Sequence, residues 1–267
     1  MFVNKLKSLS ICRKVYRGLT TTTTTTKIPS QISVYKSNSS NPFVNLAIES
    51  WLFSEPKNDD EHVLYLWRNG PSVIIGQFQS AWRECEIKKM DNENVHLVRR
   101  PSGGGAVYQD LGNSIFTFIS PKKNNKNANE INIENNNNIL INALKTKYNI
   151  NAIATGRNDL CVDDLKISGA AFRNSKSRRL HHGTMLLNVD MKALSNYLTP
   201  NKVKLQSKGI SSVQARVLNL KTVVPTISHE NVSEAILESF LKHHNIDIDT
   251  FDNDSIIYID EDSDLVK

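Results

Sequence analysis

Hydrophobic and polar residues follow each other along this chain in the two periods that are typical of strands and of helices. Short apolar runs bounded by turn residues predict strands at 63–68, 73–75, 96–100, 106–108, 114–120, 160–162, 166–172 and 181–189. Apolar residues spaced three and four apart predict helices at about 43–53, 139–148 and 229–243. Because short turns join several of the strands, the pattern predicts an α/β (α+β) fold, with a mixed β-sheet and flanking helices.

Two of the predicted helices have a clear apolar face, and one has a clear start. Asn41 followed by Pro42 is typical of a helix N-cap and first turn. The helix that follows is expected to bury Phe43, Ala47, Ile48, Trp51 and Leu52. The helix at 229–243 is expected to bury Val232, Ala235, Ile236, Phe240 and Leu241.

Segments of biased composition divide the chain. Residues 1–27 contain six basic residues, several Ser and Thr and no acidic residue. This composition predicts a mitochondrial presequence with a Thr-rich linker, and hence the mitochondrial matrix as the location; a disordered basic tail is the alternative. Residues 28–250 are predicted to form one domain. An Asn-rich disordered loop is expected within it at 122–138, and an acidic tail after it at 251–267.

Charge and cysteine usage exclude several classes of protein. The chain carries 33 basic and 27 acidic residues, and beyond residue 27 the two kinds are equal in number. The basic excess that would suggest nucleic acid therefore belongs to the predicted presequence, and no nucleic-acid partner is expected. No apolar run is long enough to span a membrane. The three cysteines are too widely spaced for a disulfide framework or a zinc site.

A glycine-rich turn at 99–108, RRPSGGGAVY, follows a predicted strand. Three consecutive glycines let the backbone approach a ligand closely, and successive inward-facing N–H groups form an anion-binding concavity. Arg100 beside the turn could pair with a phosphate or a carboxylate. The segment matches neither a Walker loop nor a GxGxxG turn, and a plain flexible turn is the alternative. With two arginines and apolar strands on both sides, phosphate binding is favoured.

Lys166 lies among small residues in the predicted strand KISGAAFR (166–173), an unusual setting for a solvated lysine. In a cleft, its ammonium group could neutralise a phosphate and the carboxylate that attacks it. In GRNDL (156–160), Asp159 could bind Mg²⁺ or orient Lys166, and Asn158 could donate to a phosphate or a sugar. A helix cap or an Asx turn is the structural alternative for that pair.

His181 and His182 are neighbours in a predicted strand, so their side chains point to opposite faces. At most one of them can face a site, and two histidines without a third ligand make a poor metal site. One histidine lining a pocket is favoured, with a packed core histidine as the alternative.

Seven motifs occur in one unbroken order between about residues 32 and 245. They are PFVNLAIES (42–50), LWRNGPSVIIGQFQSAWRE (66–84), RRPSGGGAVYQDLGNSIFTF (99–118), GRNDL, KISGAAFR, HHGTMLLNVD (181–190) and SKGISSVQARV (207–217). Together they resemble the lipoate–protein ligase A / lipoyltransferase family. The resemblance implies the catalytic-domain fold that this family shares with biotin–protein ligases.

The resemblance also implies an enzyme with a two-step reaction. Lipoate and ATP would give lipoyl-adenylate and pyrophosphate, with Mg²⁺ neutralising the phosphates, and a lysine ε-amine on an acceptor domain would then attack the activated carbonyl. Lys166 would be the catalytic residue, contacting the lipoyl carbonyl and the α-phosphate without acting as the nucleophile. The nucleotide would be held by Arg100, by the backbone of Gly105, Ala106, Val107 and Tyr108, and by Asn158, Asp159 and Lys166. Lipoate would be held by Ile48, Trp67, Ser102, Gly104, Lys166 and His182.

The implied acceptors are the lipoyl domains of 2-oxo-acid dehydrogenase E2 subunits and the glycine cleavage H protein, with the ligase acting as a monomer. Two departures from the family stand out. Gln109 occupies a position at which the family usually has histidine, so affinity or rate could differ. The sequence also ends at Lys267, where bacterial members continue into an accessory domain. A transferase that uses preformed lipoyl-adenylate or a carrier protein therefore stays open.

Three other functions fit these motifs less well. An octanoyltransferase uses a cysteine just upstream of its His-Gly pair, and residues 178–182 contain none. A biotin–protein ligase has a different glycine-rich motif. A non-catalytic paralogue that only binds lipoyl domains would need neither Arg100 nor Lys166.

Overall fold

A computed structural model of the protein describes residues 32–54, 58, 60–122, 128–156, 158–199 and 217–261, with the backbone alone at 128–132. Its helices are α1 (Pro42–Ser54), α2 (Ala81–Glu84), α3 (Ile87–Asn92), α4 (Ala128–Tyr148), α5 (Met191–Tyr197) and α6 (His229–His243). Its strands are β1 (Ile32–Ser37), β2 (His62–Trp67), β3 (Ser72–Ile75), β4 (His96–Arg99), β5 (Val107–Gln109), β6 (Asn113–Pro121), β7 (Ile153–Thr155), β8 (Asp159–Val162), β9 (Leu165–Asn174), β10 (Arg178–Leu186) and β11 (Ile257–Ile259).

The strands form two mixed sheets. The large sheet has the order β11-β1-β2-β6-β10-β9-β8-β7, with β1 parallel to both of its neighbours and the other pairs antiparallel. The small sheet has the order β4-β3-β5, with β3 parallel to β4 and antiparallel to β5. The predicted mixed sheet with flanking helices is confirmed.

Helices cover both faces of the large sheet. On one face, α4 and α6 pack on apolar side chains of β1, β2 and β6, and on the other face α1 does the same. The small sheet packs on α2, α3 and α5 around a third apolar cluster. Among the described residues, no helix combines the length and the apolarity that a membrane span requires.

The first helix begins as predicted and buries part of the predicted face. The Asn41 side chain accepts the N–H of Phe43 at 3.0 Å, which is the expected N-cap. Phe43, however, is 51% exposed and Ala47 is also exposed, whereas Asn45 and Glu49 are fully buried. Ile48 and Leu52 are buried as predicted. The prediction was wrong for Phe43 and Ala47, because polar residues one turn apart lie on the inward face, where an apolar pattern cannot indicate them. In α6 the five predicted core residues are all buried.

The predicted disordered loop at 122–138 is wrong for residues 128–138, which belong to α4. The apolar residues Ile139, Leu140, Ala143 and Leu144 fix this helix in the core, and once a helix is fixed each further residue adds one backbone hydrogen bond. The Asn136 amide nitrogen also donates to Nδ1 of His181 at 3.2 Å. Residues 123–127 lie outside the described part of the chain.

The predicted boundary at residue 250 is also wrong. β11 adds a parallel strand to β1, and Phe251, Ile256 and Ile259 are buried. The acidic Asp260 accepts the Asn38 amide at 2.8 Å, so it too is part of the fold. Three residues between acidic neighbours give too short a pattern to predict a strand. Residues 262–267 and the predicted presequence at 1–27 lie outside the described residues.

Candidate functional site

A cavity of about 270 Å³ lies where the small sheet meets the large one. The glycine turn (residues 102–106) and β5 supply one side of it, and β8, β9 and β10 supply the other. Of the residues predicted for the site, the cavity is lined by Trp67, Arg100, Gly104, Gly105, Ala106, Val107, Asn158, Asp159, Lys166 and His182. Residues from distant parts of the sequence, including the glycine turn and Lys166, therefore share one cavity.

The Arg100 guanidinium organises the glycine turn. Its Nη2 donates to the carbonyls of Gly103 and Gly105 at 2.8 and 2.7 Å, and its Nη1 donates to the Ile74 carbonyl at 3.0 Å. Its Nε donates to the Ser102 hydroxyl at 3.0 Å. Burial lowers the pKa of Arg100 to about 10, so it remains charged at neutral pH. Most of its donors are thus used within the turn, which gives Arg100 a positioning role, and its direct pairing with a phosphate stays a prediction.

The backbone N–H groups that directly follow the carbonyls of Gly103 and Gly105 remain available as donors. In a trans peptide the N–H points away from the preceding C=O, so the N–H groups of Gly104 and Ala106 face away from the guanidinium. Within the described part of the chain, neither of these groups donates to another protein atom. Gly104 has a φ of +90°, which glycine adopts readily. This arrangement suits an anion, as the sequence predicts.

A β-bulge turns Lys166 toward the cavity. In the β8–β9 ladder, Leu160 pairs with Ser168 and Cys161 pairs with Lys166, so Ile167 is the extra residue. A bulge shifts the alternation of side chains by one. Lys166 therefore shares a face with Gly169, and both line the cavity. Without the bulge, the strand alternation would place Lys166 and Gly169 on opposite faces.

The Lys166 ammonium is fixed by an acidic partner. Its Nζ lies 2.8 Å from Oδ1 of Asp159, with side-chain exposures of 37% and 39%. A Cβ added at Gly169 would lie 2.8 Å from both Nζ and Cε of Lys166, so glycine is required for this position of the amine. Of the two predicted roles for Asp159, the orienting one is observed. Among the described residues, no three acidic, histidine or cysteine side chains are grouped to hold a metal ion.

A buried hydrogen-bond network supports the opposite side of the cavity. The Trp67 indole N–H donates to the Thr117 hydroxyl at 3.0 Å, and that hydroxyl donates to Oε1 of Glu49 at 2.7 Å. The same oxygen lies 2.7 Å from Nδ1 of His182, whose Nε2 lies 2.7 Å from the Ser102 hydroxyl. Since Ser102 also contacts Arg100, the network joins Trp67 and His182 to the glycine turn.

The two histidines point to opposite faces, as predicted. His182 faces the cavity, whereas the His181 ring packs 4.6 Å from that of Phe172 on the other face. Burial lowers the pKa of His181 to about 3, so it is a neutral core residue.

Three predicted site residues do not line the cavity. Ile48 belongs to α1 and packs in the core on its inward face. The Tyr108 side chain packs beside Tyr197 on the opposite face of β5. Ser102 lies behind the cavity and supports His182. Glu49 and Thr117 were not predicted for the site, because no local signal connects residues that meet only after folding. Gly169 belongs to the predicted motif KISGAAFR, but no role was predicted for it.

Comparisons with known proteins show which family this chain is similar to. A family profile described as the lipoyl protein ligase A/B catalytic domain matches residues 41–241. The lipoate-protein ligase A of Psychrobacter cryohalolentis is 47% identical over 231 residues, which are 86% of this chain and 66% of that relative. The chain thus spans just under two-thirds of the relative's length.

Several solved structures of lipoate-protein ligases and of LipL1 have folds similar to that of this chain. P. falciparum LipL1 in complex with lipoate is 36% identical with a TM-score of 0.72, covering 87% of this chain and 66% of that one. A bi-partite lipoate protein ligase from Thermoplasma acidophilum, determined with its E2 lipoyl domain, is 28% identical with a TM-score of 0.73, covering 85% and 86%. A lipoate-protein ligase A bound with ATP is 26% identical with a TM-score of 0.68, covering 85% and 88%.

Proposed function

Because the chain belongs to the lipoyl protein ligase A/B catalytic-domain family, we propose that it joins lipoate in amide linkage to a lysine of a lipoyl domain through a lipoyl-adenylate intermediate. The observation that carries this proposal is the shared cavity of Lys166 and the glycine turn. The names of the similar structures support each reactant, since one contains lipoate, one contains ATP and one contains an E2 lipoyl domain.

In the first step, a carboxylate oxygen of lipoate attacks the α-phosphorus of ATP, and pyrophosphate leaves. The free N–H groups of Gly104 and Ala106 donate to the α-phosphate oxygens. The Lys166 ammonium lies between carboxylate and phosphate and offsets the repulsion of these two anions. Fixed donors of this kind stabilise charge as it develops without having to reorganise during the reaction.

In the second step, the ε-amine of the acceptor lysine attacks the lipoyl carbonyl. The C–N bond forms, the amine loses a proton, and AMP leaves with the electrons of the C–O bond. Lys166 donates to the carbonyl oxygen as it becomes negative and is not itself acylated. The apolar end of the cavity, formed by Leu46, Trp67, Ile74 and Ile115, encloses the acyl chain.

Magnesium would be a nucleotide-borne ion rather than a resident one. Asp159 is the only acidic side chain among the described residues that line the cavity. Mg²⁺ is commonly bound by one or two carboxylates together with substrate phosphates, so Asp159 would share it with the nucleotide. The ion would supply neutralisation of phosphate charge.

The wider setting stays a prediction. The glycine cleavage H protein as a second acceptor, the monomeric state and the mitochondrial matrix as location follow from the resemblance and the basic residues 1–27 alone. The Psychrobacter relative is bacterial and gives the location no support.

A direct assay tests the proposed function. The full chain is incubated with an apo lipoyl domain and either lipoate with ATP or preformed lipoyl-adenylate. Intact-mass spectrometry then measures the fraction of the lipoyl domain that carries a lipoyl group on its lysine. We expect product in both arms. Product from the adenylate alone would show that the chain is a transferase and not a ligase. No product in either arm would reject the proposed function.

A further inference from the structure

Gln109 lines the cavity, although only 5% of its surface is exposed. It lies on β5 on the same face as Val107, and the intervening Tyr108 packs on the opposite face. A buried amide has strong requirements for hydrogen-bond partners, so the partners of each of its ends decide what Gln109 can do.

A chain of buried amides fixes the orientation of Gln109. The Asn45 Nδ2 donates to the carbonyls of Ser39 and Arg68, both at 3.0 Å, and since carbonyls only accept, this settles which end of Asn45 is nitrogen. The same nitrogen lies 3.0 Å from Oδ1 of Asn69. Asn69 is therefore oriented with its Nδ2 donating to Oε1 of Gln109 at 2.8 Å.

The amide nitrogen of Gln109 is left facing the cavity with two unused N–H donors. Within the part of the chain that the structure describes, Asn69 is the only hydrogen-bond partner of the Gln109 side chain. Asn69 itself is fully buried and bonded on both sides, so it cannot rotate to release the oxygen end. Since no group of the described residues accepts from these donors, a ligand or a water molecule can do so.

The position of this donor assigns it to the far end of the acyl chain. β5 runs from the glycine turn at Ala106 to Gln109, a distance of about 10 Å at the usual rise of a strand. Gln109 contacts Asn69, which comes two residues after Trp67, at the apolar end of the cavity. An acyl chain whose carboxyl group lies between the glycine turn and Lys166 therefore directs its distal atoms toward Gln109.

We propose that Gln109 is a specificity-determining residue that favours an acyl chain with a hydrogen-bond acceptor at its distal end, such as the dithiolane sulfurs of lipoate, over an all-carbon chain of the same length. This inference rests on the proposed function. Sulfur is a weak acceptor, but an aliphatic end accepts nothing and leaves a buried amide unpaired. Sites built to hydrogen-bond a substrate reject analogues that lack the matching group for this reason.

The test compares lipoate with octanoate in the wild type and in two variants. Gln109→Met has a similar volume but no N–H donor, whereas Gln109→His keeps one donor toward the cavity if its other nitrogen accepts from Asn69. The measured quantity is kcat/KM for each acid with ATP and an apo lipoyl domain, together with the Kd of each acid by calorimetry.

We expect the wild type to prefer lipoate, and Gln109→Met to lower the lipoate-to-octanoate ratio about 10-fold, mainly through better use of octanoate. Gln109→His should retain most of the preference. Gln77→Met is a matched control, since it makes the same change at an exposed side chain outside the cavity lining and should leave the ratio within about twofold.

An unchanged ratio in Gln109→Met, in an enzyme that still uses lipoate, would overturn the inference and leave the proposed function intact. A wild-type preference for octanoate would overturn it as well. Absence of any product from wild type with either acid would instead reject the proposed function, so the two failures are distinguishable.

Discussion

Replacing Gly169 by alanine adds one methyl group beside the Lys166 amine and should displace that amine. The new Cβ would lie 2.8 Å from Nζ and Cε of Lys166, and also 3.7 Å from Oδ1 of Asp159. Ordinary contacts of a Cβ begin at 3.4 Å, so the end of the lysine must retreat by at least about 0.6 Å from the new methyl group. A displacement that approaches 1 Å at a reacting centre costs about 100-fold in rate, or about 2.7 kcal/mol of transition-state stabilisation.

The same substitution should change the stability of the fold very little. The displaced atoms are the end of a flexible side chain, and the Lys166–Asp159 pair is more than a third exposed. Exposed pairs contribute about 0–1 kcal/mol, and Gly169 has no positive φ that alanine would strain. We therefore expect kcat of Gly169→Ala to fall about 100-fold, while its free energy of unfolding stays within about 1 kcal/mol of the wild type.

A double-mutant cycle makes this prediction sharp. If Gly169→Ala acts only through the amine, it should have no further effect in a Lys166→Ala background. Gly70→Ala is the matched control, because its Cβ would meet only the Ser40 carbonyl at an ordinary 3.5 Å. The assay is single-turnover transfer from lipoyl-adenylate to an apo lipoyl domain. A fully active Gly169→Ala, or an equal loss with and without Lys166, would refute the reasoning.

Three further outcomes are expected. Lys166→Ala should lose transfer while its circular dichroism spectrum and thermal midpoint remain those of the wild type, and transfer at the wild-type rate would remove the assigned role. Glu49→Leu leaves the Thr117 hydroxyl without its acceptor and His182 without its partner. The free energy of unfolding measured in urea should therefore fall by about 2–4 kcal/mol, and Glu49→Gln should lose less. Equal losses in the two variants would contradict the acceptor role of Glu49. Burial lowers the pKa of His181 and of His244 to about 3 from an ordinary 6.5, so the unfolded chain binds protons below pH 6.5 that the folded chain does not. Stability should therefore be complete above about pH 6.5 and should decline as the pH falls toward 3, and urea midpoints that do not change between pH 7 and 4.5 would argue against buried neutral histidines.

Elements with a regular apolar period could be predicted from the sequence, and those fixed by polar contacts could not. The buried face of α6 follows from its apolar residues at helical spacing. In α1 the inward face includes Asn45 and Glu49, whose partners lie far along the chain, so the pattern indicated only part of the buried face. β11 is only three residues long and exists through its pairing with β1, which no local signal specifies.

The candidate site could be predicted as a set of motifs but not as a geometry. The glycine turn, Lys166 and His182 were predicted to act together, and they line one cavity. The sequence could not indicate that Arg100 directs most of its donors into its own turn, nor that a bulge at Ile167 aims Lys166 inward. Both features depend on tertiary hydrogen bonds and on strand register, which a linear pattern does not contain.

The central claim is that the glycine turn and Lys166 bind opposite sides of one acyl-phosphate. A crystal structure of the full chain with a non-reactive lipoyl-adenylate analogue tests this claim most directly. The predicted result places the phosphate oxygens within hydrogen-bond distance of the Gly104 and Ala106 N–H groups, and Lys166 Nζ between the phosphate and the acyl carbonyl. An analogue that is bound elsewhere, or bound in the cavity with Lys166 turned away from it, would contradict the account.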